Sequence, residues 1–389
     1  MQSWRLMAQP GPPVRAAESG WMEQKMDVYV MGVAVHPATD AVRDLRLEEL
    51  AYATARAALD AAGLTRDRLD HVTLAGCDEI DARGISSMLL ASPSGAYLKD
   101  ENRVTDSGLT GLHLGAMRAA SGHLGLGLVV SWSQSSVGPL ENLARMRAEP
   151  FYLRPIGLNF AIADGLLAGA VAARFGITEV EVVERVCRRL SAATKNSRAV
   201  QRVQPTAGDV AASPMLAWPL RAGHQAPVTD GAAALVLASG DWVRSHPESR
   251  PLARIAGIEW AVDRHALGGE RLAGFGVFRD TLRRVLTRAG FAGVGNVDLI
   301  EYEAQTAWVD VAIERALEAG PGVTLNPSGG AWSQNPFFCR GLVNAVEAVL
   351  QVSGHAGTNQ IAGARRALAH GSCGFAQQGH GFVAFESVH

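Results

Sequence analysis

Two rhythms of apolar and polar positions alternate along this chain. Met26–Val35, MDVYVMGVAV, is a near-continuous apolar run of strand length and predicts a buried strand. Leu45–Leu64, LRLEELAYATARAALDAAGL, places apolar residues every three or four positions and closes in Ala-Gly, which predicts an amphipathic helix. Leu69–Cys77 predicts a second strand. Glu101–Gly122, ENRVTDSGLTGLHLGAMRAASG, predicts a short polar loop turning into an apolar helix that runs through Ala120, and Gly125–Ser136 predicts a further strand. From about Phe151 to Leu220 the pattern is mostly helical and polar, with the look of an insertion.

The second half repeats the rhythm. Gly231–Ser239 and Ala253–Asp263 predict strands, Phe275–Gly290 a helix, and Val294–Ala304 a strand running into a loop. Thr306–Gly320 predicts a helix, Gly329–Gly354 a Gly-rich loop feeding a long helix, and Gly379–Ser387 a last strand. Strands and helices alternating in two halves of similar order imply parallel-rich sheets covered by helices. The expected divisions are a flexible N-terminal tail (1–25), an N-terminal half (26–150), a helical loop insertion (151–224) and a C-terminal half (225–389). The tail is Pro/Gly-rich and polar, without the apolar core of a signal peptide.

Composition narrows the classes. The 389 residues are 48% hydrophobic and 19% charged, the balance of an ordinary globular protein. Lys+Arg 36 against Asp+Glu 38 gives a formal charge of −2, which is not the basic balance of a nucleic-acid binder. The local cluster Arg185, Arg188, Arg189, Lys195, Arg198 and Arg202 reads as a solvated helix face, with phosphate binding as the alternative. No apolar run approaches the ~18 residues of a membrane span. Four cysteines without C-x-x-C spacing exclude an obvious disulfide or zinc framework and fit a reducing cytoplasm. No metal or resident cofactor is expected.

Four stretches in order carry a family resemblance: VTDGAAALVLAS (228–239), DLIEYEAQTA (298–307), NPSGGAWSQNPFFCRG (326–341) and GHGFVAFE (379–386). Together they resemble the thiolase superfamily, from about Met26 to the C-terminus. ASPMLAWPL (212–220), with the helical segment before it, resembles the sterol-carrier-protein-thiolase, lipid-transfer-protein-like branch. The resemblance implies an α/β thiolase fold with two similar βαβαβ-type halves in five αβαβα layers. It also implies a homodimer and an acyl thioester of coenzyme A or pantetheine as substrate.

The departures from the family pattern bear on activity. The family's nucleophilic cysteine sits at a helix N-terminus, where the dipole lowers its pKa. Here Thr105 takes that position, and a hydroxyl needs a contacting general base to attack. A simple helix N-cap is the plainer reading of Thr105, and the dipole alone favours Asp106 in the first turn. The histidine of the family's Gly-His-Pro turn falls on Asn335, which cannot shuttle a proton near pH 7. The second family cysteine has no clean counterpart, since the spacing from Cys373 to Gly379 and Gly381 does not match. Cys339 reads as a small buried apolar residue.

Tyr302 stands where the family's strand-to-loop motif carries Asn or His. This resembles thiolase-like aldolases, which cleave a β-hydroxyacyl thioester without a cysteine nucleophile and work beside a small OB-fold partner. Tyr302 would be base or relay, against the plain reading of a packed strand-end tyrosine. Ser328, Gly329, Gly330, Gly379 and Gly381 would bind substrate through backbone N–H groups with the Asn335 amide. His380 is the best-placed imidazole, while His113, His123 and His355 read as surface or packing residues. At most one of Glu301 and Glu303 is expected to face the pocket. The alternatives are an acyltransferase or condensing subunit of a complex, and a catalytically silent scaffold.

Overall fold

The computed structural model describes residues 26–388, so the expected N-terminal tail lies outside the described residues. In chain order the elements are β1 (Val28–Val35), α1 (Leu47–Ala62), β2 (His71–Ala75), α2 (Ser86–Leu90), β3 (Asp100–Val104), α3 (Gly108–Ala120) and β4 (Leu126–Gln134). Then come α4 (Leu140–Arg147), α5 (Phe160–Phe175), α6 (Glu179–Ala193), α7 (Ala207–Ala212), β5 (Met215–Ala217), β6 (Leu220–Arg221), β7 (Asp230–Ser239) and α8 (Gly240–Ser245). The C-terminal half holds β8 (Ala253–Val262), α9 (Gly269–Gly274), α10 (Gly276–Ala289), β9 (Leu299–Glu301), α11 (Ala307–Leu317), β10 (Thr324–Leu325), α12 (Arg340–Val352), β11 (Arg366–Cys373) and β12 (Gly379–Ser387).

Ten strands join in the order β10-β9-β11-β12-β8-β1-β7-β4-β2-β3. The sheet consists of two five-stranded halves with the same internal topology. In each, the third strand pairs parallel with the second and the second parallel with the fourth; the fourth is antiparallel to the fifth and the fifth to the first. A short antiparallel contact of Val28–Val30 with Ala253–Ile255 joins them. Helices α3 and α12 pack on each other between the halves, α1 covers the first half from outside and α10 the second. This is the expected five-layer α/β arrangement. Central strands are buried on both faces: every residue of β4 and β7 is buried, which is why they read as continuous rather than alternating apolar runs.

Where the central helices cross, side chains are reduced to fit. A Cβ on Gly108 would stand 2.7 Å from Ser131 Oγ and 3.1 Å from the Cys339 Cα. One on Gly341 would stand 3.0 Å from the Gly371 Cα.

The segment between β4 and β7 is not a polar outlier. Helix α5 is largely apolar, and residues of α5 and α6 enter the same buried cluster as α10, α11 and β9. In the basic cluster Arg188 and Lys195 are exposed, but the other four residues are paired rather than solvated. Arg185 Nη1 and Arg189 Nε donate to Asp310 at 2.6 and 2.8 Å, Arg198 pairs with the buried Glu347, and Arg202 with Asp40. Helix periodicity showed the arginines together, but the acid that neutralises them lies more than a hundred residues away. Among the described residues no single helix is long and apolar enough to cross a membrane.

Candidate functional site

A cleft opens where the two halves meet beside the N-terminus of α3. Asp106 and Ser107 line it from the turn before α3, Glu303 and Gln305 from the loop after β9, and Ser372 and Cys373 from the end of β11. The segment between β4 and β7 adds Arg147, Phe160 and Asp164. Its apolar wall is an aromatic cluster in which the Phe160 ring lies 5.1 Å from Phe337 and 5.3 Å from Phe375.

Thr105 is exposed and lies outside the cleft wall. The cap of α3 is Ser107, whose Oγ accepts from the Thr110 amide at 3.2 Å. The N-cap expected at Thr105 therefore stands two residues later, because β3 extends through Val104 and the chain needs the intervening residues to turn. Asp106 does face the cleft, with Thr110 Oγ1 donating to its Oδ2 at 3.0 Å.

Cys373, which the spacing set aside, lies on the cleft wall. A Cβ on Gly379 would stand 2.4 Å from its Sγ, so that glycine makes room for the thiol. Burial, followed by the neighbouring Asp106 carboxylate that accepts from the thiol, raises its pKa far above the usual range, so the sulfur keeps its proton. Glu303 is the strand-motif carboxylate facing the cleft, 4% exposed. Its Oε1 accepts from Gln305 Nε2 at 3.0 Å and its Oε2 from the Ser372 amide at 3.1 Å. Burial raises its pKa, against the pull of these hydrogen bonds. Asp164 is pushed up to about 7, by burial and then by the Glu141 charge. A carboxylate amid the apolar α5 sequence was the signal that could have found it.

Tyr302 is not in the cleft. It is fully buried, and its hydroxyl accepts from Arg189 Nη2 at 2.7 Å and donates to Asp310 Oδ1 at 2.9 Å. Burial raises its pKa well beyond the phenol range, an environment opposite to that of a base. The reading of Tyr302 as base or relay is therefore corrected: the side chain is a strut of the α6–α11 interface.

Asn335 is buried beside the cleft and reaches it through Gln305. The oxyanion role expected of Ser328–Gly330 also meets a physical obstacle, since their amides are already spent. Ser328 N donates to Glu301 Oε1 at 2.9 Å, Gly329 N to Asn326 O at 3.0 Å, and Gly330 N to Ser328 Oγ at 3.2 Å. Glu301 thus turns away from the cleft. Gly379 and Gly381 sit within β12, bordering a small cavity behind Asp106 and Ser107. His380 Nδ1 lies 3.1 Å from His370 Nε2, and its ring packs on Phe278 behind the cleft. Burial lowers its pKa to about 4, so it is neutral at pH 7. His113 is buried and Cys339 fully so, both as packing residues. Among the described residues no group of three His, Cys, Asp or Glu is placed to hold a metal ion.

Comparison with known proteins fits this fold. Residues 298–384 match the family model "Thiolase C-terminal domain-like". An acetyl-CoA acetyltransferase of Methanothermobacter thermautotrophicus is 24% identical over 374 residues, 88% of this chain and 95% of that protein. Sterol carrier protein 2 of Rattus norvegicus is 27% identical over 166 residues, 37% of this chain and only 30% of that protein. Among solved structures, an Ltp2-ChsH2(DUF35) aldolase superposes with a TM-score of 0.75 at 17% identity, over 93% of this chain and 98% of that one. Human mitochondrial 3-ketoacyl-CoA thiolase superposes at 0.76 and 18%, over 93% and 99%. Identities this low show the fold alone. The duplicated sheet and these superpositions show a thiolase fold, and the C-terminal part of the chain is similar to the thiolase C-terminal domain.

Proposed function

We propose that this protein is a thiolase-like carbon–carbon lyase that splits a β-hydroxyacyl thioester of coenzyme A or a carrier-bound pantetheine. The observation that carries the proposal is the pairing, across one cleft, of a buried carboxylate (Glu303) with a protonated thiol (Cys373). No thiol stands at the exposed Thr105 position. A carboxylate whose pKa is raised by burial is a stronger proton acceptor than an ordinary one.

In the proposed step Glu303 takes the β-hydroxyl proton and the Cα–Cβ bond breaks. Its electron pair moves through Cα onto the thioester carbonyl as an enolate, and the aldehyde or ketone leaves. The Cys373 thiol then protonates Cα, and the proton on Glu303 returns to the sulfur, so no acyl-enzyme forms. The positive N-terminal end of α3, presented at Ser107, is suited to the developing enolate oxygen. Asp106 holds the thiol between turnovers. A homodimer and a small OB-fold partner belong to the same proposal. Exposed Met88, Tyr97 and Leu98 near the edge strand β3 support an interface, as does the two-component name of the aldolase neighbour.

The test is mass-spectrometric turnover of a β-hydroxyacyl-CoA panel, with any co-purifying partner present, for wild type and Glu303→Gln. Carbonyl product that falls by ~10²-fold or more in the variant is expected, the usual scale for a general base. No product from wild type overturns the lyase reading, and an acyl adduct on the protein replaces it with a condensing subunit.

A further inference from the structure

Two amide side chains connect a backbone carbonyl to the proposed base. Asn335 Nδ2 donates to the Ala226 carbonyl at 3.4 Å and to Gln305 Oε1 at 2.8 Å. Gln305 Nε2 donates back to Asn335 Oδ1 at 3.3 Å and on to Glu303 Oε1 at 3.0 Å. All four amide hydrogens are used. A carbonyl can only accept, so Ala226 decides which end of Asn335 is nitrogen. That choice decides the orientation of Gln305, and hence whether Glu303 meets an N–H or an oxygen. The anchor is rigid: Asn335 N donates to Thr229 Oγ1 at 3.0 Å, and Thr229 N to the Asn335 carbonyl at 2.9 Å.

We infer that Asn335 is a positioning residue that, through Gln305, keeps an N–H donor on Glu303 and so holds the base in its proton-accepting form. The inference rests on Glu303 being the base. Asn335 itself touches no substrate, since both of its amide hydrogens are engaged. The other charged or titratable groups around Glu303 do not duplicate the effect. The Arg340 guanidinium of α12 acts through its charge. His370 of β11 accepts from the Glu303 amide rather than donating to its carboxylate, at 3.3 Å. Cys373, Asp106, Asp164, Arg147 and His265 line the same cleft, but the hydrogen bonds on the Glu303 carboxylate come from Gln305 and the Ser372 amide.

The sign of the effect is fixed. Removing a donor from the carboxylate disfavours its anion, raises its pKa and moves the acid limb of the pH–rate profile to higher pH. Asn335→Leu and Gln305→Met are each expected to move that limb up by about one unit, the scale of one hydrogen bond to a charged group. The protonated-carboxyl infrared band assigned by Glu303→Gln subtraction should move with the limb, a readout that a packing defect would leave in place. Asn335 is fully buried, so Gln305→Met, at the half-buried cleft end, decides the matter whether or not Asn335→Leu folds. If Glu303→Gln abolishes activity while Gln305→Met, in the enzyme that keeps Glu303, leaves the limb and the band in place, the positioning alone is overturned. An active Glu303→Gln enzyme overturns the base assignment, and the inference with it.

Discussion

Replacing Tyr302 by Phe separates a strut from a catalytic group, because the two roles predict opposite pairs of measurements. The hydroxyl makes two strong contacts, accepting from Arg189 Nη2 at 2.7 Å and donating to Asp310 Oδ1 at 2.9 Å. Its loss orphans neither partner. Arg189 keeps Asp310 through Nε and Nη2 at 2.8 and 2.9 Å, and Leu325 O through Nη1 at 2.6 Å. Asp310 Oδ1 keeps Arg185 at 2.6 Å. The cost therefore falls near the low end of the ~1.5–3 kcal/mol for a hydrogen bond to a charged group. With an unfolding entropy of about 2.1 cal/mol/K per residue, a chain of this length loses roughly 2 °C of Tm for that amount. Calorimetry and β-hydroxyacyl-CoA turnover on the same preparation form the assay. The expected outcome is a Tm lower by about 2 °C with the rate within a few-fold of wild type. A Tm unchanged and a rate down by ~10²-fold would refute the strut and return the phenol to the chemistry. Arg189→Met calibrates the scale: it leaves Asp310 dependent on Arg185 and should cost ~3–5 kcal/mol.

Ser107→Ala should destabilise by ~0.5–2 kcal/mol in urea unfolding, whereas Thr105→Ala should stay within about 0.5 kcal/mol, because only the former caps α3. Cys373→Ala should leave no covalent acyl signal to lose, yet lower product release by ~10²-fold if the thiol is the acid at Cα, as single-turnover mass spectrometry would show. Glu301 and Asp81 are both pushed up to about 7, chiefly by burial. These two carboxyls therefore bind more protons in the folded than in the unfolded state between about pH 4 and 7, so their contribution to stability falls as pH rises through that window. The buried histidines His71, His113 and His380, which burial lowers to about 4, contribute the opposite slope. Urea midpoints of wild type and Glu301→Gln from pH 5 to 8 isolate the carboxyl: the stability of wild type relative to the variant should fall as pH rises. A relative stability that rises with pH would mean that Glu301 is ionised in the fold.

Much of the scaffold was legible because it is written in local periodicity. The strand β1 and the helices α1, α10, α11 and α12 stand where apolar spacing put them. Five strands were not visible: the short β5, β6 and β10, and the longer β3 and β11. β3 reads DENRV and is polar because it forms one edge of the sheet, while β11 reads RALAHGSC, whose Ala and Gly carry little strand preference of their own. Both exist because neighbours supply the pairing: β2 beside β3, and β9 and β12 on either side of β11. The arginines of α6 had the same kind of hidden partner. Arg185 and Arg189 lie one helical turn apart, a spacing equally suited to a wet face or to one shared carboxylate. Asp310, inside the apolar helix α11, was the only local hint of the second.

The site was half legible for a geometric reason that applies beyond this chain. Aligning motifs counts residues, whereas chemistry depends on where a side chain points, and the two part company wherever a strand ends or a loop bulges. At β9 the strand ends with Glu301, so Tyr302 turns into the α6–α11 interface and Glu303 enters the cleft, one position past the aligned residue. Between Cys373 and Gly379 the extra residues leave the path of the sheet. Gly374, Ala376 and Gln377 adopt positive φ of 74°, 50° and 50°, and β12 still returns to pair Gly379 with Cys373. The loop absorbs the difference in count, so a spacing that seemed to exclude Cys373 leaves the thiol beside Asp106. Ala376 and Gln377 occupy a left-handed region that ordinary residues enter at a cost of order 1–3 kcal/mol each. Such strain persists only where surrounding contacts over-determine the path, and here the pins are identifiable. Gln377 Nε2 donates to Glu303 O at 3.1 Å, Asp263 N to Gln378 O at 2.9 Å, and Arg271 to Phe375 O. The bulge that disguised the cysteine is thus bonded back to the backbone of the proposed base, which ties the positions of the two reacting groups to each other.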